Sequence, residues 1–202
     1  MSIQQNLSLK SYNTFGIDVN TRYFAEYSSI GELKEILGSE IINANPWLHI
    51  GGGSNLLFLK DFEGIILHSQ LKSIEKISET DEIALLRVGA GMVWDDFVAY
   101  CVSNNYYGVE NLSLIPGEVG ASAVQNIGAY GMEVKDVIET VDTIHTETLN
   151  ERIFTNEECR YGYRKSIFKE ELRGKYIITN VTFRLKKQPD YQLDYQNLRE
   201  AV

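Results

Sequence analysis

The chain has 202 residues, 44% of them hydrophobic and 23% charged, and a formal net charge of −9 from 19 basic and 28 acidic side chains. That length and composition suit one folded domain or two small ones and exclude a fibrous, low-complexity or disordered chain. The negative balance excludes long-range attraction to polyanions, so nucleic acid is not an expected partner and any phosphate has to be held locally by backbone donors and a few placed cations. Residues 1–15 lack the basic start and apolar centre of a signal peptide, and no apolar run reaches membrane-spanning length. Both observations predict a cytoplasmic protein with no membrane partner. Cys101 and Cys159 have neither CxxC nor metal-ligand spacing and read as two reduced thiols, so no metal site is expected.

Ser29 and Glu32 form a capping-box pattern, after which Ile30, Leu33, Ile36 and Leu37 recur at helical spacing until Gly38. The spacing predicts one amphipathic helix ahead of the first strand. Strand-like runs follow at residues 47–50, 56–59 and 64–68, and residues 73–77 and 83–88 flank a polar turn as the arms of a hairpin do. Val93, Trp94, Phe97, Val98, Cys101 and Val102 define a second helix. Residues 137–146 and 176–187 read as strands. The latter reads as half-buried, with Ile177, Thr179, Val181, Phe183 and Leu185 on one face. The pattern changes near Leu71, which divides the chain into two α/β units at residues 1–70 and 71–189. Residues 194–202 read as a helix entered through an Asp cap and cut off without a C-terminal signal.

Two segments are rich in glycine: residues 51–58, GGGSNLLF, and residues 115–131, IPGEVGASAVQNIGAYG. Such stretches make a poor core and a poor helix. They can, however, turn through positive φ and press N–H groups against an anion, which is how glycine-rich loops hold diphosphates. Two of them in one chain point to a dinucleotide. Neither is the Rossmann fingerprint, because the residues after Gly131 lead through Glu133 and Lys135 into a strand and not along a helix. The segment 88–91, VGAG, lacks a third glycine and reads as a close turn. Within the longer loop, Ser122, Gln125, Asn126 and Tyr130 carry the uncharged polar groups, which could address an isoalloxazine edge or satisfy the loop's own backbone.

A third constellation, CRYGYRKSIFK at residues 159–169, gathers two arginines, two lysines and two tyrosines in an acidic protein. It is either a solvated charge cluster or a frame for a carboxylate or phosphate. Arg164 beside a carboxylate conjugated to a C=C bond would stabilise the enolate-like charge that develops when hydride adds to the far carbon.

GGGSNLLF, ENLSLIPGEVGASAVQNIGAYGMEV and ECRYGYRKSIFK, in that order, closely resemble the UDP-N-acetylenolpyruvoylglucosamine reductases (MurB), and the opening SYNTFGI resembles that family's start. The resemblance implies an α+β protein with an FAD-binding fold of the p-cresol methylhydroxylase and vanillyl-alcohol oxidase type, built from two α/β subdomains. Residues 190–202 would then begin a substrate-binding domain that is cut short. It implies non-covalent FAD, NADPH as co-substrate, and UDP-N-acetylglucosamine enolpyruvate as the small molecule reduced to UDP-N-acetylmuramate for peptidoglycan. By matching motif, Gly51, Gly52, Gly53, Ser54 and Asn55 would hold the FAD diphosphate together with Pro116, Gly117, Val119, Gly120, Ala121 and Ser122. Gln125, Asn126, Gly128 and Tyr130 would line the flavin side. Arg164 matches the arginine that polarises the enolpyruvyl carboxylate, with Tyr163 beside it, and Tyr195 matches a tyrosine that closes over the uridine diphosphate. The family's proton-donor serine and its partner glutamate have no counterpart here, so the chain by itself is expected to hold cofactor without completing turnover. Another flavin oxidoreductase of the same superfamily and a non-catalytic nucleotide-binding module are the alternative readings.

Overall fold

The computed structural model describes residues 3–191 together with Leu193 and Tyr195. The expected terminal helix at residues 194–202 falls, Tyr195 apart, outside the described residues.

The chain starts with strands, not with the expected helix. β1 (Ile3–Ser8) and β2 (Asn20–Tyr27) pair antiparallel before α1 (Ile30–Leu37) begins. The polar residues of β1 hide its strand character, since all six of its positions are partly or wholly exposed on a sheet edge. α1 itself matches the pattern: Ser29 Oγ accepts the Glu32 N–H at 3.1 Å, and Leu33, Ile36 and Leu37 are buried. The Glu32 carboxylate reaches one residue further back than a capping box prescribes, accepting the Ser28 N–H at 2.6 Å, and these bonds hold its pKa below the usual range. A short α2 (Glu40–Ala44) that periodicity did not reveal leads to β3 (Trp47–Ile50), and β4 (Phe62–Ser69) completes a sheet of order β1-β2-β4-β3.

Residues 56–59 are not a strand, contrary to their apolar pattern. β3 and β4 are parallel neighbours, so the segment between them must carry the chain back along the whole length of the sheet. The glycine loop and residues 56–59 are consumed in that crossover.

β5 (Ile74–Glu79) and β6 (Ile83–Gly89) form the expected hairpin, and α3 (Trp94–Ser103) the expected second helix. Glycines at the β6–α3 connection allow very close backbone approach, as the reading of a close turn requires. A Cβ on Gly91 would fall 2.2 Å from Ser69 O, and one on Gly89 2.3 Å from Leu71 O. The glycine-rich run 115–131 is not without helix or core. It contains α4 (Val119–Gln125), in which Val119 and Ala123 are fully buried. The small residues have a packing reason: a Cβ on Gly120 would stand 2.8 Å from Ala90 Cβ, and Gly120 N–H donates to Ala90 O at 2.9 Å. Tertiary proximity thus overrides the low helix propensity of glycine.

A miniature hairpin of β7 (Gly128–Ala129) and β8 (Met132–Glu133) follows, then β9 (Ile138–His145), β10 (Glu151–Thr155) and β11 (Tyr176–Lys186). The second sheet runs β10-β9-β11-β6-β5. β11 is its central strand and is not half-buried. Residues 177–183 are buried on both faces, because α3 and α4 cover one side and the first sheet's helical layer meets the other. Val181, Phe183 and Leu185 join the main core around Trp94 and Phe97, whereas Ile177 packs with Leu33, Ile36 and Leu37. Register shifts between Ile178 and Asn180 allow one strand to serve both cores. Cys101 and Cys159 are free and buried. No described helix is long and apolar enough to cross a membrane.

Candidate functional site

The two glycine segments, sixty residues apart in sequence, meet edge to edge. A Cβ on Gly52 would lie 3.5 Å from Gly117 Cα, and Ser54 Oγ donates across the seam to Pro116 O at 3.1 Å. The seam is narrow because side chains are missing on both sides of it. Gly53 adopts φ +66° and Gly117 φ +130°, conformations that favour glycine. None of the N–H groups of residues 52–55, nor those of Gly117 and Glu118, is taken by a protein acceptor outside the strand ladders among the described residues. The first loop is propped from below by residues 9–17. Asn13 donates to Leu9 O at 2.7 Å and Ile17 O at 3.0 Å, which shapes a backbone so close that a Cβ on Gly53 would stand 2.0 Å from Tyr12 O.

From this seam α4 leads to the other expected residues. Val119 has its N–H bonded to Met92 O and its side chain in the core, and Ser122 Oγ donates to Val119 O at 2.7 Å. Ser122 therefore serves its own helix, the second of the two roles the sequence left open. Asn126, in the left-handed C-cap position with φ 50° and 1% exposure, bonds to neighbouring segments instead. Its Nδ2 donates to Gly162 O at 2.8 Å and its Oδ1 accepts the Lys135 N–H at 3.1 Å. Gln125, half-buried, has no protein partner among the described residues and is the free amide of the set. Tyr130 sits at positive φ at the tip of the β7–β8 hairpin, half exposed, with the Tyr195 ring perpendicular to it at 6.1 Å.

Asn126 also joins α4 to the basic segment. Gly162 and Lys165 close a two-residue turn, Gly162 N–H to Lys165 O at 3.1 Å and Lys165 N–H to Gly162 O at 2.9 Å, with Tyr163 and Arg164 at its tip. Arg164 has φ +56° while Tyr163 does not enter the positive region, which is type II geometry with arginine where glycine is the usual occupant. Both side chains are exposed, Tyr163 to 80%. Lys165 pairs with Glu170 at 3.1 Å, Lys169 Nζ donates to Arg164 O at 3.2 Å, and buried Ser166 anchors the segment through Val124 O at 2.6 Å. Lys135 holds the Glu133 carboxyl below its usual range, with smaller contributions from Asn126 and the Arg164 guanidinium. The turn that carries the Arg164 cation is thus tied to the C-cap of α4 through Asn126. The Asn126→Gly variant keeps the left-handed backbone but removes the side-chain bonds to Gly162 O, which retains the Lys165 N–H, and to the Lys135 N–H, which is left without a partner. It is expected to lose about 2 kcal/mol of unfolding free energy in a denaturant titration, the cost of two unmade bonds.

Residues 21–147 match the family model described as FAD binding domain. The chain belongs to this FAD-binding family. Its relative in Bacteroides fragilis, a UDP-N-acetylenolpyruvoylglucosamine reductase, is 56% identical over 99% of this chain, and the chain spans 60% of that relative's length. Among solved structures, the Thermus caldophilus reductase of the same name (MurB) superposes with a TM-score of 0.76 at 26% identity, over 94% of this chain and 64% of that one. The p-cresol methylhydroxylase structure shares the fold alone, with a TM-score of 0.59 at 15% identity over 86% of this chain and 37% of its own. The FAD-binding family and the α+β fold expected from the motifs are both found.

Three further side chains at the seam went unread in the sequence. Glu118 is buried directly under Gly51, and His68 bridges it to Glu26 at 2.9 and 3.0 Å. The available signal was Glu118 itself, a lone acid inside a segment suited to an anion.

Proposed function

We propose that the chain is the FAD-carrying part of an NADPH-dependent, cytoplasmic reductase that converts UDP-N-acetylglucosamine enolpyruvate into UDP-N-acetylmuramate for peptidoglycan. The observation that carries this reading is the seam between Gly52 and Gly117. FAD fits it, because a diphosphate needs main-chain N–H donors approached without an intervening Cβ, and both loops offer them. In this reading Gly51, Gly52, Gly53, Ser54, Asn55, Pro116 and Gly117 hold the diphosphate, with Ala121 facing Gly51 at the start of α4. Gln125, Gly128 and Tyr130 line the ring, and Asn126 positions Arg164.

FAD held here would supply hydride chemistry between a nicotinamide and the enolpyruvyl double bond. The protein's own part is electrostatic. Arg164 presents a planar fork of donors to the substrate carboxylate, where negative charge grows as the double bond is reduced. A non-glycine residue at positive φ costs on the order of 1–3 kcal/mol, and such strain concentrates at working sites. In this reading Tyr163 flanks the same carboxylate, and Tyr195, whose ring lies against Tyr130 and Gly131, closes over the nucleotide. Residues 1–70 and 71–189 form the two units of this cofactor-binding part.

Reconstitution tests the reading. The purified chain mixed with FAD is expected to develop a protein-bound flavin absorption band, and acid precipitation is expected to release all of the colour, since neither glycine loop contains a His or Cys that could tether it. A protein that stays colourless at every FAD ratio contradicts the proposal. Colour retained in the pellet favours a covalent flavin oxidase instead.

A further inference from the structure

The two glycine loops rest on a carboxylate. Glu118 is 8% exposed, and its Oε2 lies 3.1 Å from where a Cβ on Gly51 would stand. A buried anion beneath donors meant for a diphosphate repels the ligand unless a cation cancels it. His68 lies in the right place. Period-2 alternation along β4 turns Ile65 and Leu67 toward α1, and Ile66 and His68 toward the glycine loops. His68 Nε2 is 2.9 Å from Glu118 Oε1, and Nδ1 is 3.0 Å from Glu26 Oε1 on β2. Gln70 Nε2 donates to the same Glu26 oxygen at 2.5 Å, and Tyr12 closes the cluster with its ring edge-on at 5.3 Å.

We propose that His68 is a positioning residue whose imidazolium, gripped by Glu26 and Glu118, cancels the Glu118 charge under the two glycine loops and so sets their affinity for the cofactor diphosphate. The proposal rests on the reading of these loops as the FAD site. Both ring nitrogens face carboxylate oxygens, so the charged ring donates two hydrogen bonds and the neutral ring only one. Burial alone would lower the pKa of His68, but the bonds and charges of Glu118 and Glu26 outweigh it and raise it above the usual value. The other groups facing the cluster stay neutral around pH 7. Burial, with His68 nearby, lowers His49 on β3 to about 4, while burial raises Tyr12 beside Glu26 and raises Tyr27, which bonds His49 at 2.7 Å. A diphosphate overhead favours the imidazolium further, so binding takes up a proton and weakens as pH rises through the raised pKa.

Fluorescence titration of FAD onto the chain between about pH 6 and pH 9 tests this. The dissociation constant of the wild type is expected to rise about tenfold across the range, the weight of one pKa unit of linkage. His68→Gln is expected to bind about tenfold more weakly at the acidic end and to show no pH slope. Combining His68→Gln with Glu118→Gln removes charge and counter-charge together, and is expected to recover most of the loss while staying flat. Should His68→Gln alone fail to fold, the flat double variant against the sloping wild type decides the matter. A flat wild-type profile, or a double variant as weak as the single one, overturns the proposal while leaving the cofactor reading intact. A wild type that binds no FAD at any pH overturns that reading instead.

Discussion

Gly53→Ala is expected to abolish FAD binding and to destabilise the chain far more than the same change at Gly16. The pair separates two effects that glycine substitutions usually mix. Gly53 and Gly16 have nearly equal φ, +66° and +63°, so alanine meets the same torsional penalty at both, about 1 kcal/mol. At Gly16 a Cβ has nothing within 4 Å, whereas at Gly53 it would lie 2.0 Å from Tyr12 O and 2.8 Å from Asn13 Cα, both main-chain atoms that cannot swing aside. The loop or its support has to move, which brings the Gly53 loss to about 4 kcal/mol. In a protein of this size that corresponds to a fall in Tm of about 10 °C, against about 3 °C for Gly16→Ala. Moving the loop also opens the seam with Gly117, so FAD titration should show no binding to Gly53→Ala and near-normal binding to Gly16→Ala. Equal behaviour of the two variants would show that the Tyr12 contact does not set the loop.

Arg164 invites the opposite outcome, with function lost and stability retained. Glycine at the left-handed position of the 162–165 turn relieves backbone strain, offset in part by the greater freedom of the unfolded chain. Arg164→Gly is therefore expected to unfold at the same denaturant concentration as the wild type or to gain up to about 1 kcal/mol. In the protein extended to the length of its relatives, turnover of UDP-N-acetylglucosamine enolpyruvate should fall about 10²–10³-fold, the usual effect of removing one donor that meets developing charge. Arg164→Lys keeps the charge but loses the fork, and should slow the substrate-dependent half-reaction far more than the NADPH-dependent one. A large stability loss in Arg164→Gly would make the residue structural, and equal slowing of both half-reactions would remove it from the carboxylate.

The elements legible in the sequence were those whose pattern and surroundings agree. α1 announced itself through Ser29, Glu32 and four apolar residues at helical spacing, and the β5–β6 hairpin through two strand-like arms and a polar turn. β1 was missed because an edge strand needs few apolar residues, and residues 56–59 were misread because an apolar run does not reveal whether its neighbours are parallel or antiparallel. The candidate site was partly legible for the same reason. Glycines mark where a Cβ is forbidden, so both loops stood out. Ser122 bonds three residues back to Val119, one of the two roles the sequence left open, whereas Asn126 bonds to Gly162 and Lys135, which spacing along the chain cannot disclose.

By itself, then, the chain determined its capped helix α1, its two side-chain-poor loops, the basic turn and, through the wording of those motifs, its family. Each of these is carried by residues that lie close together along the chain. Tertiary structure alone decided that the glycine run winds into α4 against Ala90, that β11 is covered on both faces, and that His68 stands between Glu26 and Glu118 beneath the seam. Those outcomes depend on contacts between residues thirty to a hundred and fifty positions apart. Close packing and the pairing of buried charge, acting across the fold, override what each segment would do alone.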